Sequence, residues 1–315
     1  MTDALKSTNA TQEEILNTHG WEPDPEDSRD LAASHPAEFK IKVPFVKAAL
    51  SAEAALPAKV DLSEWFPPVI NQGDLPICTA AAVIALGSYL IKRNSNQERE
   101  ESVLFNYRVS RRLSGDPDRS GSFLRYALSG WALCGSLDEK YWPFDTKQLD
   151  VDPNAFCYSV AQNYRAITYL RIDNKKSPED YLKAIKASLA QGLPVTLGLS
   201  LYAPSLLSSL QPGPTKGVIP VPENTDTKLG GHAVLVVGYD DDKIIPPPNI
   251  PNVTSSDQPQ PPGGLLIRNS WGKDWGQDGY GWLPYSWVLR GLINDTWTVV
   301  KVDWVDLTTF RPWVR

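Results

Sequence analysis

A lone cysteine, Cys78, ends the turn-forming run Asn-Gln-Gly-Asp-Leu-Pro-Ile that begins at Asn71. The residues from Ala80 to Arg93 favour a helix, so the thiol is expected at or near a helix N-terminus, where free backbone N–H groups and the helix dipole favour a thiolate. Gln72, six residues upstream, offers a side-chain amide that a tight turn at Gly73 brings towards the sulfur. This pattern indicates a cysteine nucleophile with an oxyanion donor. A free cysteine at the start of a buried helix is, however, more often a core residue.

A cysteine nucleophile needs a base, which is nearly always histidine. Two of the three histidines, His19 and His35, lie in the polar N-terminal stretch, where a solvated histidine is the simpler interpretation. The third, His232, follows Gly230 and Gly231 and opens a strongly apolar strand. A core histidine satisfied by a backbone carbonyl is the alternative there, but the flanking glycines clear space around the ring. They favour His232 as the base.

A third polar signal follows another apolar run, Leu265-Leu266-Ile267, in the form Asn269-Ser270-Trp271-Gly272. An asparagine at the end of a buried strand can hydrogen-bond one imidazole nitrogen and fix the ring, and the tryptophan after it can shield that bond from water. The same four residues are also common turn chemistry. Each of these three signals is weak, but together they fit one Cys-His-Asn mechanism. Their agreement is stronger evidence than any one of them.

Composition excludes several other function classes. The chain has 315 residues, 42% of them hydrophobic, which is enough for one large domain or two lobes. A net charge of −6 predicts neither a nucleic-acid partner nor an anionic membrane surface. No run approaches the length of a membrane span, and the N-terminus has no apolar signal region. We therefore expect a cytoplasmic monomer, or one exported by a route without a classical signal peptide.

The other two cysteines, Cys134 and Cys157, are expected to be buried thiols, although a bridge between them is conceivable. An odd number of cysteines argues against a disulfide framework. Three cysteines and three histidines without close spacing predict no metal site, and the chemistry outlined above needs no cofactor.

The elements that must position these residues change type halfway along the chain. Helix signals dominate to about residue 145, at Ala80–Arg93, Ser102–Arg112 and Ser122–Leu133. One amphipathic helix, Pro178–Gln191, then lies among strand-like runs at 164–172, 194–201, 232–239, 264–269, 279–284 and 296–305. Residues 243–263 are too rich in proline for a sheet and predict a surface loop. A helical half followed by a β-rich half predicts an α+β protein of two lobes.

Together the three polar segments resemble the papain family of cysteine peptidases, in its bacterial-type form. The resemblance covers about residues 60–304 and keeps the order Gln, Cys, His, Asn. It rests on Gln72-Gly73 before Cys78, on Gly231-His232-Ala233-Val234 with Val237-Gly238-Tyr239, and on Asn269-Ser270-Trp271-Gly272 with Trp275-Gly276 and Gly279-Tyr280-Gly281. The asparagine motif is the most specific part.

The chain also departs from that family pattern. Pro76-Ile77 and Thr79 flank the nucleophile, where the family usually has Gly-Ser and Trp. Leu75 stands where a bridged cysteine is usual, so that disulfide is absent, which suits a reducing compartment.

The resemblance implies a papain-like fold, a helical lobe (about 66–163) packed against an antiparallel β-barrel lobe (about 164–310), within a peptidase domain at 58–315. It implies a cysteine endopeptidase with Cys78, His232, Asn269 and Gln72 as catalytic residues and a thioester intermediate. By the same resemblance Ser122, Phe123, Ala233 and Trp271 contact a peptide or protein substrate. A thioester-forming acyl transferase and a catalytically silent peptide-binding homologue are the alternatives.

Residues 1–57 are the part that the resemblance explains least. They contain a capping box at Thr11–Glu14, an extended proline-dotted stretch at 21–30, and alternating apolar residues from Phe39 to Phe45. Enzymes of this kind are commonly held inactive by an N-terminal segment in the cleft. We therefore predict that part of residues 1–57 packs on the body and obstructs the active site, as in a zymogen. A flexible tail, or a strand added far from Cys78, is the alternative.

Overall fold

The computed structural model describes residues 20–27, 30, 56–173, 177–203, 205–210, 212–213, 215–223, 226–246 and 261–304. The predicted helix near Thr11, the predicted strand from Phe39 to Phe45 and most of the proline-rich loop lie outside these residues. Gly20–Asp27 has neither helix nor regular strand, which agrees with the extended chain expected there. No helix in the described ranges is long and apolar enough to cross a membrane.

The helical lobe is built around helix α1 (Cys78–Ser95), which is buried from Cys78 to Ile91. It ends at Asn96, whose left-handed backbone (φ 55°) is typical of a helix C-terminus. Helix α2 (Val103–Leu113) begins at Ser102, whose hydroxyl accepts the N–H of Phe105 at 3.2 Å. Helices α3 (Leu124–Cys134) and α4 (Ala155–Ala161) complete the lobe, and α4 was not predicted.

The second lobe is one antiparallel sheet. Its strands are β1 (Lys59–Asp61), β2 (Tyr164–Arg171), β3 (Val195–Ala203), β4 (Thr227–Asp240), β5 (Gly264–Arg268), β6 (Tyr280–Pro284) and β7 (Ile293–Trp304). Their order is β2-β7-β3-β4-β5-β6, with β1 paired to β4. Helices α5 (Pro178–Ala190), α6 (Ser205–Leu210) and α7 (Ser286–Leu289) lie in this half of the chain.

The sheet is open, whereas the resemblance implied a barrel. Within the described chain the edge strands β2 and β6 do not pair with each other. A short loop at 217–219 instead pairs with the outer edge of β6. The N–H of Trp282 donates to Gly217 O at 2.8 Å, and the N–H of Ile219 donates to Trp282 O at 3.0 Å. That loop satisfies the backbone groups that barrel closure would have used.

The two faces of β4 pack on different helices because successive side chains of a strand point to opposite sides. Val234 and Val236 join a core cluster with Ile185 of α5. Leu235 and Val237 join a cluster with Leu86 of α1 and so connect the two lobes. This packing brings the N-terminus of α1, where Cys78 lies, against the start of the buried part of β4.

Candidate active site

Cys78 is the first residue of α1 and is fully buried. The turn before it is held by a hydrogen bond from Gly73 N to Asn71 Oδ1 at 3.0 Å, and Gly73 has a φ of +57° that favours glycine. Ile77, at the N-cap position of α1, has no side chain that could cap the helix. The N–H of Ala233, on β4, points at Cys78 Sγ at 3.4 Å. The thiol therefore lies between the two lobes, at the start of a helix as predicted.

His232 immediately precedes Ala233 in β4 and is also fully buried. Its Nε2 lies 2.8 Å from Asn269 Oδ1, the contact expected from the sequence. Among the described residues its Nδ1 has no hydrogen-bond partner. One ring nitrogen is thus fixed by Asn269, and the other is left to exchange a proton.

Asn269 follows β5 directly, and its backbone N–H donates to Gly279 O at 3.0 Å. Trp271 stacks on the His232 ring with centroids 4.7 Å apart, and Trp275 meets Trp271 edge-on at 5.6 Å. Trp271 therefore covers one face of the imidazole, the position from which the sequence predicts that it shields the imidazole–amide contact from water.

Gln72 is tied to the same segment as Asn269. Its backbone N–H donates to Ser270 O at 2.8 Å, and its Oε1 accepts the Ser270 hydroxyl. Its Nε2 donates to Leu75 O at 2.8 Å. Since a primary amide carries two N–H donors, one remains for a further acceptor.

The residues expected to contact substrate differ in how they face the cleft. The Ser122 hydroxyl donates to Ser110 Oγ at 2.9 Å, inside the helical lobe, so Ser122 meets the cleft through its backbone. Phe123 is half-buried, with Arg119 over its ring at 4.8 Å. Ala233 is buried beside Cys78.

The cleft is occupied by the chain's own N-terminal residues. Gly20 lies so close to the nucleophile that a Cβ placed on it would be 2.5 Å from Cys78 Sγ and 2.9 Å from Pro76 C. The N–H of Ser122 donates to Gly20 O at 3.0 Å, and Trp21 pairs with Ser122 as a parallel bridge. We name residues 20–27 together with Asp30 the cleft segment.

Trp21 is the apolar anchor of the cleft segment and is 3% exposed. Its indole lies on Gly198 of β3, where a Cβ would approach the ring to 2.0 Å. At Gly231 of β4 a Cβ would lie 2.1 Å from the Trp21 carbonyl oxygen and 2.8 Å from the indole. Its Nε1 donates to Asp295 Oδ2 at 3.2 Å. The glycine expected to make room for the His232 ring thus also makes room for Trp21.

Carboxylates fix the rest of the cleft segment. The N–H of Arg125 donates to Asp24 Oδ1 at 3.1 Å, and Trp297 Nε1 donates to Asp24 Oδ2 at 3.0 Å. Asp30 pairs with both Arg125, at 2.5 Å, and Arg171, at 3.2 Å.

The carboxylates around Asp24 and Asp30 outnumber the guanidinium groups that they contact. Arg171 also pairs with Asp295 at 2.8 Å and with Asp173 at 2.7 Å. Two guanidinium groups, Arg125 and Arg171, therefore face four carboxylates, two of them from the cleft segment. Burial raises the pKa of Asp24 and Asp295 above the ordinary value for aspartate, and the guanidinium groups offset only part of that rise.

Burial determines the electrostatics of Cys78 and His232 in the closed chain, in which the cleft segment occupies the cleft. Burial raises the pKa of the Cys78 thiol to about 12, against the lowering effect of the Ala233, Thr79 and Cys78 N–H groups. Burial lowers the pKa of His232 to about 4, and its hydrogen bond to Asn269 offsets this only partly. Both groups are neutral at pH 7 in the closed chain. The expectation of a low Cys78 pKa is wrong for this closed state, because burial leaves the charged thiolate without solvation.

Sequence reasoning missed Trp21, Asp24 and Asp295, which join the cleft segment to the β-lobe. The only signal was an isolated tryptophan in a run of acids and prolines, Trp-Glu-Pro-Asp-Pro. Cys134 and Cys157 are free thiols, the state favoured over a bridge. Cys157 is buried as expected, but Cys134, the last residue of α3, is only half-buried.

Comparison with known proteins gives four findings. Residues 56–288 match the family model described as Papain family cysteine protease. An uncharacterized peptidase C1-like protein, L477, of Acanthamoeba polyphaga mimivirus is 29% identical over 250 residues, which cover 77% of this chain and 73% of the viral protein. The crystal structure of xylellain, a cysteine protease from Xylella fastidiosa, is similar with a TM-score of 0.69 at 30% identity, over 91% of this chain and 96% of that one. Procathepsin B of Trypanosoma congolense shares the fold, with a TM-score of 0.59 at 17% identity over 86% and 82% of the two chains.

Proposed function

Because this chain belongs to the papain family of cysteine proteases, we propose that it is an endopeptidase whose nucleophile is Cys78 and whose base is His232, oriented by Asn269. The observation that carries this assignment is the 2.8 Å contact between His232 Nε2 and Asn269 Oδ1, next to a Cys78 sulfur that meets the N–H of Ala233. Peptides or proteins are its substrates.

The reaction begins with proton transfer from Cys78 Sγ to His232 Nδ1. The thiolate attacks the substrate carbonyl carbon and forms a C–S bond, while the carbonyl oxygen takes up the negative charge. The N–H of Cys78 and the second N–H of Gln72 Nε2 stabilise this oxyanion. His232 then gives its proton to the leaving amine as the C–N bond breaks, which leaves a thioester. Water, deprotonated by His232, hydrolyses the thioester and restores the thiol.

The same proposal includes autoinhibition by the cleft segment. Three features support it: Gly20 lies against the nucleophile, Trp21 fills the neighbouring pocket, and burial keeps Cys78 and His232 neutral. Substrate cannot reach the sulfur until the segment leaves. Departure also admits water, which favours the thiolate–imidazolium pair over the two neutral groups.

Removal of residues 1–55 is expected to raise kcat/KM for fluorogenic dipeptides by about 100-fold. Burial of one tryptophan and its hydrogen bonds, less the cost of ordering the segment, stabilises the closed state by about 3 kcal/mol. The cut precedes Pro57, whose carbonyl accepts the Tyr239 hydroxyl at 2.6 Å. Melting temperature verifies that the shortened chain is folded.

Three outcomes of this assay would contradict the proposal. Equal rates for the full and the shortened folded chains would remove autoinhibition. Product that forms only when an amine acceptor is added would indicate an acyl transferase, and no turnover by either chain would indicate a silent homologue.

The closed state should weaken as pH rises from about 4 to about 6. Burial raises the pKa of Asp24 to about 6 in the closed chain, and Asp24 leaves for water with the cleft segment, so the closed state binds more protons than the open one. The stabilisation is complete below the open-state pKa, near 4, and is lost as pH rises through the raised value. The charged groups around Asp24 are Asp30, Asp173, Asp295, Arg125 and Arg171.

The measurement is the alkylation rate of Cys78 in the full chain divided by that in the chain lacking residues 1–55, at each pH. The division removes the pH dependence of the thiol itself. We expect the ratio to rise with pH in the wild type and to flatten in Asp24→Asn. Glu26→Gln, at an exposed acid of the same segment, is the matched control and should keep the slope. A ratio that falls with pH would refute the sign of the effect.

A further inference from the structure

A cavity of about 200 Å³ lies between the two lobes, and no residue of the cleft segment lines it. Helix α1 contributes Ala81 and Ala85 to its wall, strand β4 contributes Leu235, and the chain that leads to α1 contributes Pro67 and Pro68. We name this cavity the interlobe pocket. An apolar cavity of about 150 Å³ holds benzene, so the interlobe pocket has room for roughly eight non-hydrogen atoms.

Arg268, the last residue of β5, lines the interlobe pocket and is 5% exposed. Its Nη1 donates to the Tyr280 hydroxyl at 3.0 Å, and its Nη2 donates to Pro68 O at 2.8 Å. Both acceptors are neutral, and within the described ranges no carboxylate forms an ion pair with this guanidinium group. Burial lowers the pKa of Arg268, and the contact with Tyr280 offsets this only partly. Buried charges are normally paired, so Arg268 is a cation that lacks its counter-charge.

Ser88 of α1 supplies a second polar group on the wall of the same pocket. It is 3% exposed, and its hydroxyl makes no hydrogen bond to the residues that the structure describes. The Arg268 guanidinium lies over the Phe66 ring, 5.5 Å from its centroid. Phe66 in turn stacks on Tyr89, the neighbour of Ser88, with centroids 4.9 Å apart. The hydroxyl and the guanidinium group are therefore close enough along the wall to donate to one ligand.

Three glutamates also line the interlobe pocket, and they limit the charge that a ligand can carry. Glu101 pairs with Arg99 at 2.7 Å, and Glu100 is exposed to solvent. Burial raises the pKa of Glu101 and of the half-buried Glu139 to about 7, so each carries only part of its charge at neutral pH. Their remaining charge repels an anion with several negative charges. A single carboxylate is enough to balance Arg268.

We propose that the interlobe pocket binds a small aliphatic monocarboxylate, with a chain of about six carbon atoms, whose carboxylate accepts hydrogen bonds from Arg268 and Ser88. The aliphatic chain lies along Ala81 and Ala85, whose small side chains leave the space for it. The site is separate from the cleft and does not depend on the proposed peptidase function. Because its walls belong to both lobes, a bound carboxylate stabilises the folded protein.

Calorimetric titration of the full chain at pH 7 tests the ligand class with hexanoate, hexanamide, hexylamine and inorganic phosphate. We expect hexanoate to bind at least about tenfold more tightly than hexanamide, which has the same shape without the charge. We also expect hexanoate to raise the melting temperature, and hexylamine and phosphate to bind more weakly than hexanoate.

Three results of this titration would overturn the proposal. Equal binding of hexanoate and hexanamide would mean that Arg268 does not select a carboxylate. Tighter binding of hexylamine or of phosphate would mean that the glutamates or a multiply charged anion determine the site. Absence of saturable hexanoate binding would mean that the interlobe pocket holds only water, which a polar cavity of this size accommodates.

Ala85→Leu and Arg268→Gln locate the bound hexanoate. The larger side chain of Ala85→Leu fills the pocket, so it should abolish binding and keep the melting temperature at or above that of the wild type. Arg268→Gln should weaken hexanoate by about tenfold or more and leave hexanamide unchanged. Lys273→Gln is the matched control, because it removes an exposed positive charge that does not line the pocket, and it should bind hexanoate as the wild type does.

Ser88→Ala keeps the test decisive if Arg268→Gln does not fold. The substitution breaks no hydrogen bond to a described residue, and it should weaken hexanoate by about threefold to tenfold. The chain lacking residues 1–55 should bind hexanoate as tightly as the full chain, since the cleft segment does not line the pocket. Hexanoate binding that is unchanged in both Ala85→Leu and Ser88→Ala, or that is lost equally in Lys273→Gln, would place the ligand elsewhere and overturn the site.

Discussion

His232→Ala, made in the chain that lacks residues 1–55, is expected to lower kcat/KM by about 10³-fold or more. The substitution removes the base that takes the Cys78 proton, and it removes the imidazolium that would stabilise the thiolate. A cysteine thiol without a neighbouring cation has a pKa of about 8.5, so without the imidazolium only a small fraction of Cys78 is a thiolate near pH 7. The measurement is the steady-state rate with a fluorogenic dipeptide, with the melting temperature as the folding control.

Asn269→Ala is the matched comparison and should be milder, by about 10- to 100-fold, since Asn269 only positions the ring. Its Oδ1 meets His232 Nε2 at 2.8 Å, and Trp271, which stacks on the imidazole, is expected to keep holding the ring after the substitution. If Asn269→Ala proved the more damaging of the two in folded protein, the assigned roles would be wrong.

Gly20→Ala in the full-length chain is expected to activate the enzyme by about 5- to 100-fold. The added methyl group would lie 2.5 Å from Cys78 Sγ and 2.9 Å from Pro76 C, so the cleft segment cannot keep its position. Overpacking of this kind costs about 1–3 kcal/mol, and here the cost falls on the closed state alone. The measurement is kcat/KM of full-length variants towards the same dipeptide.

A matched control for Gly20→Ala is Pro25→Ala, at an exposed position of the cleft segment. It changes the segment without adding an atom near the sulfur, and it should leave the rate close to that of the wild type. Equal activation of both variants would mean that any change that weakens the cleft segment activates the enzyme. The clash of the added methyl group with Cys78 would then not be the cause. No activation of folded Gly20→Ala would mean that Gly20 does not cover the nucleophile in solution.

The candidate catalytic residues could be named from the sequence because each carries a local signature. Cys78 ends a turn before an apolar helix, His232 follows two glycines at the start of an apolar strand, and Asn269 ends another. The two-lobed α+β fold followed from the change from helical to strand periodicity. Element bounds were close for the long, strongly periodic segments, as in α5, predicted at Pro178–Gln191 and found at Pro178–Ala190.

Other features could not be predicted because they depend on tertiary contacts. The sheet is open because the loop at 217–219 pairs with the edge of β6, and no pattern in the sequence of that loop predicts the pairing. The position of Trp21 depends on two glycines and an aspartate that are 177 to 274 residues away in the chain. Obstruction of the cleft by part of residues 1–57 was expected, but not which residues would lie there.

The protonation state of Cys78 also depends on tertiary contacts and could not be predicted from the sequence. Helix-terminus arguments correctly place N–H groups near Cys78, and those groups do lower its pKa. The larger influence is the complete burial of Cys78 in the closed chain, which no local pattern reveals. The low-pKa thiolate remains a prediction for the open enzyme.

Covalent labelling tests the central claim most directly, namely that Cys78 is a nucleophile covered by the chain's own cleft segment. An epoxide of the kind that traps papain-like enzymes is added at mildly acidic pH to the full chain and to the chain lacking residues 1–55, and the modified residue is identified by mass spectrometry. We expect only Cys78 to be modified, and about 100-fold faster in the shortened chain. Equal modification of Cys134 or Cys157 in folded protein, or equal rates for the two chains, would contradict the account.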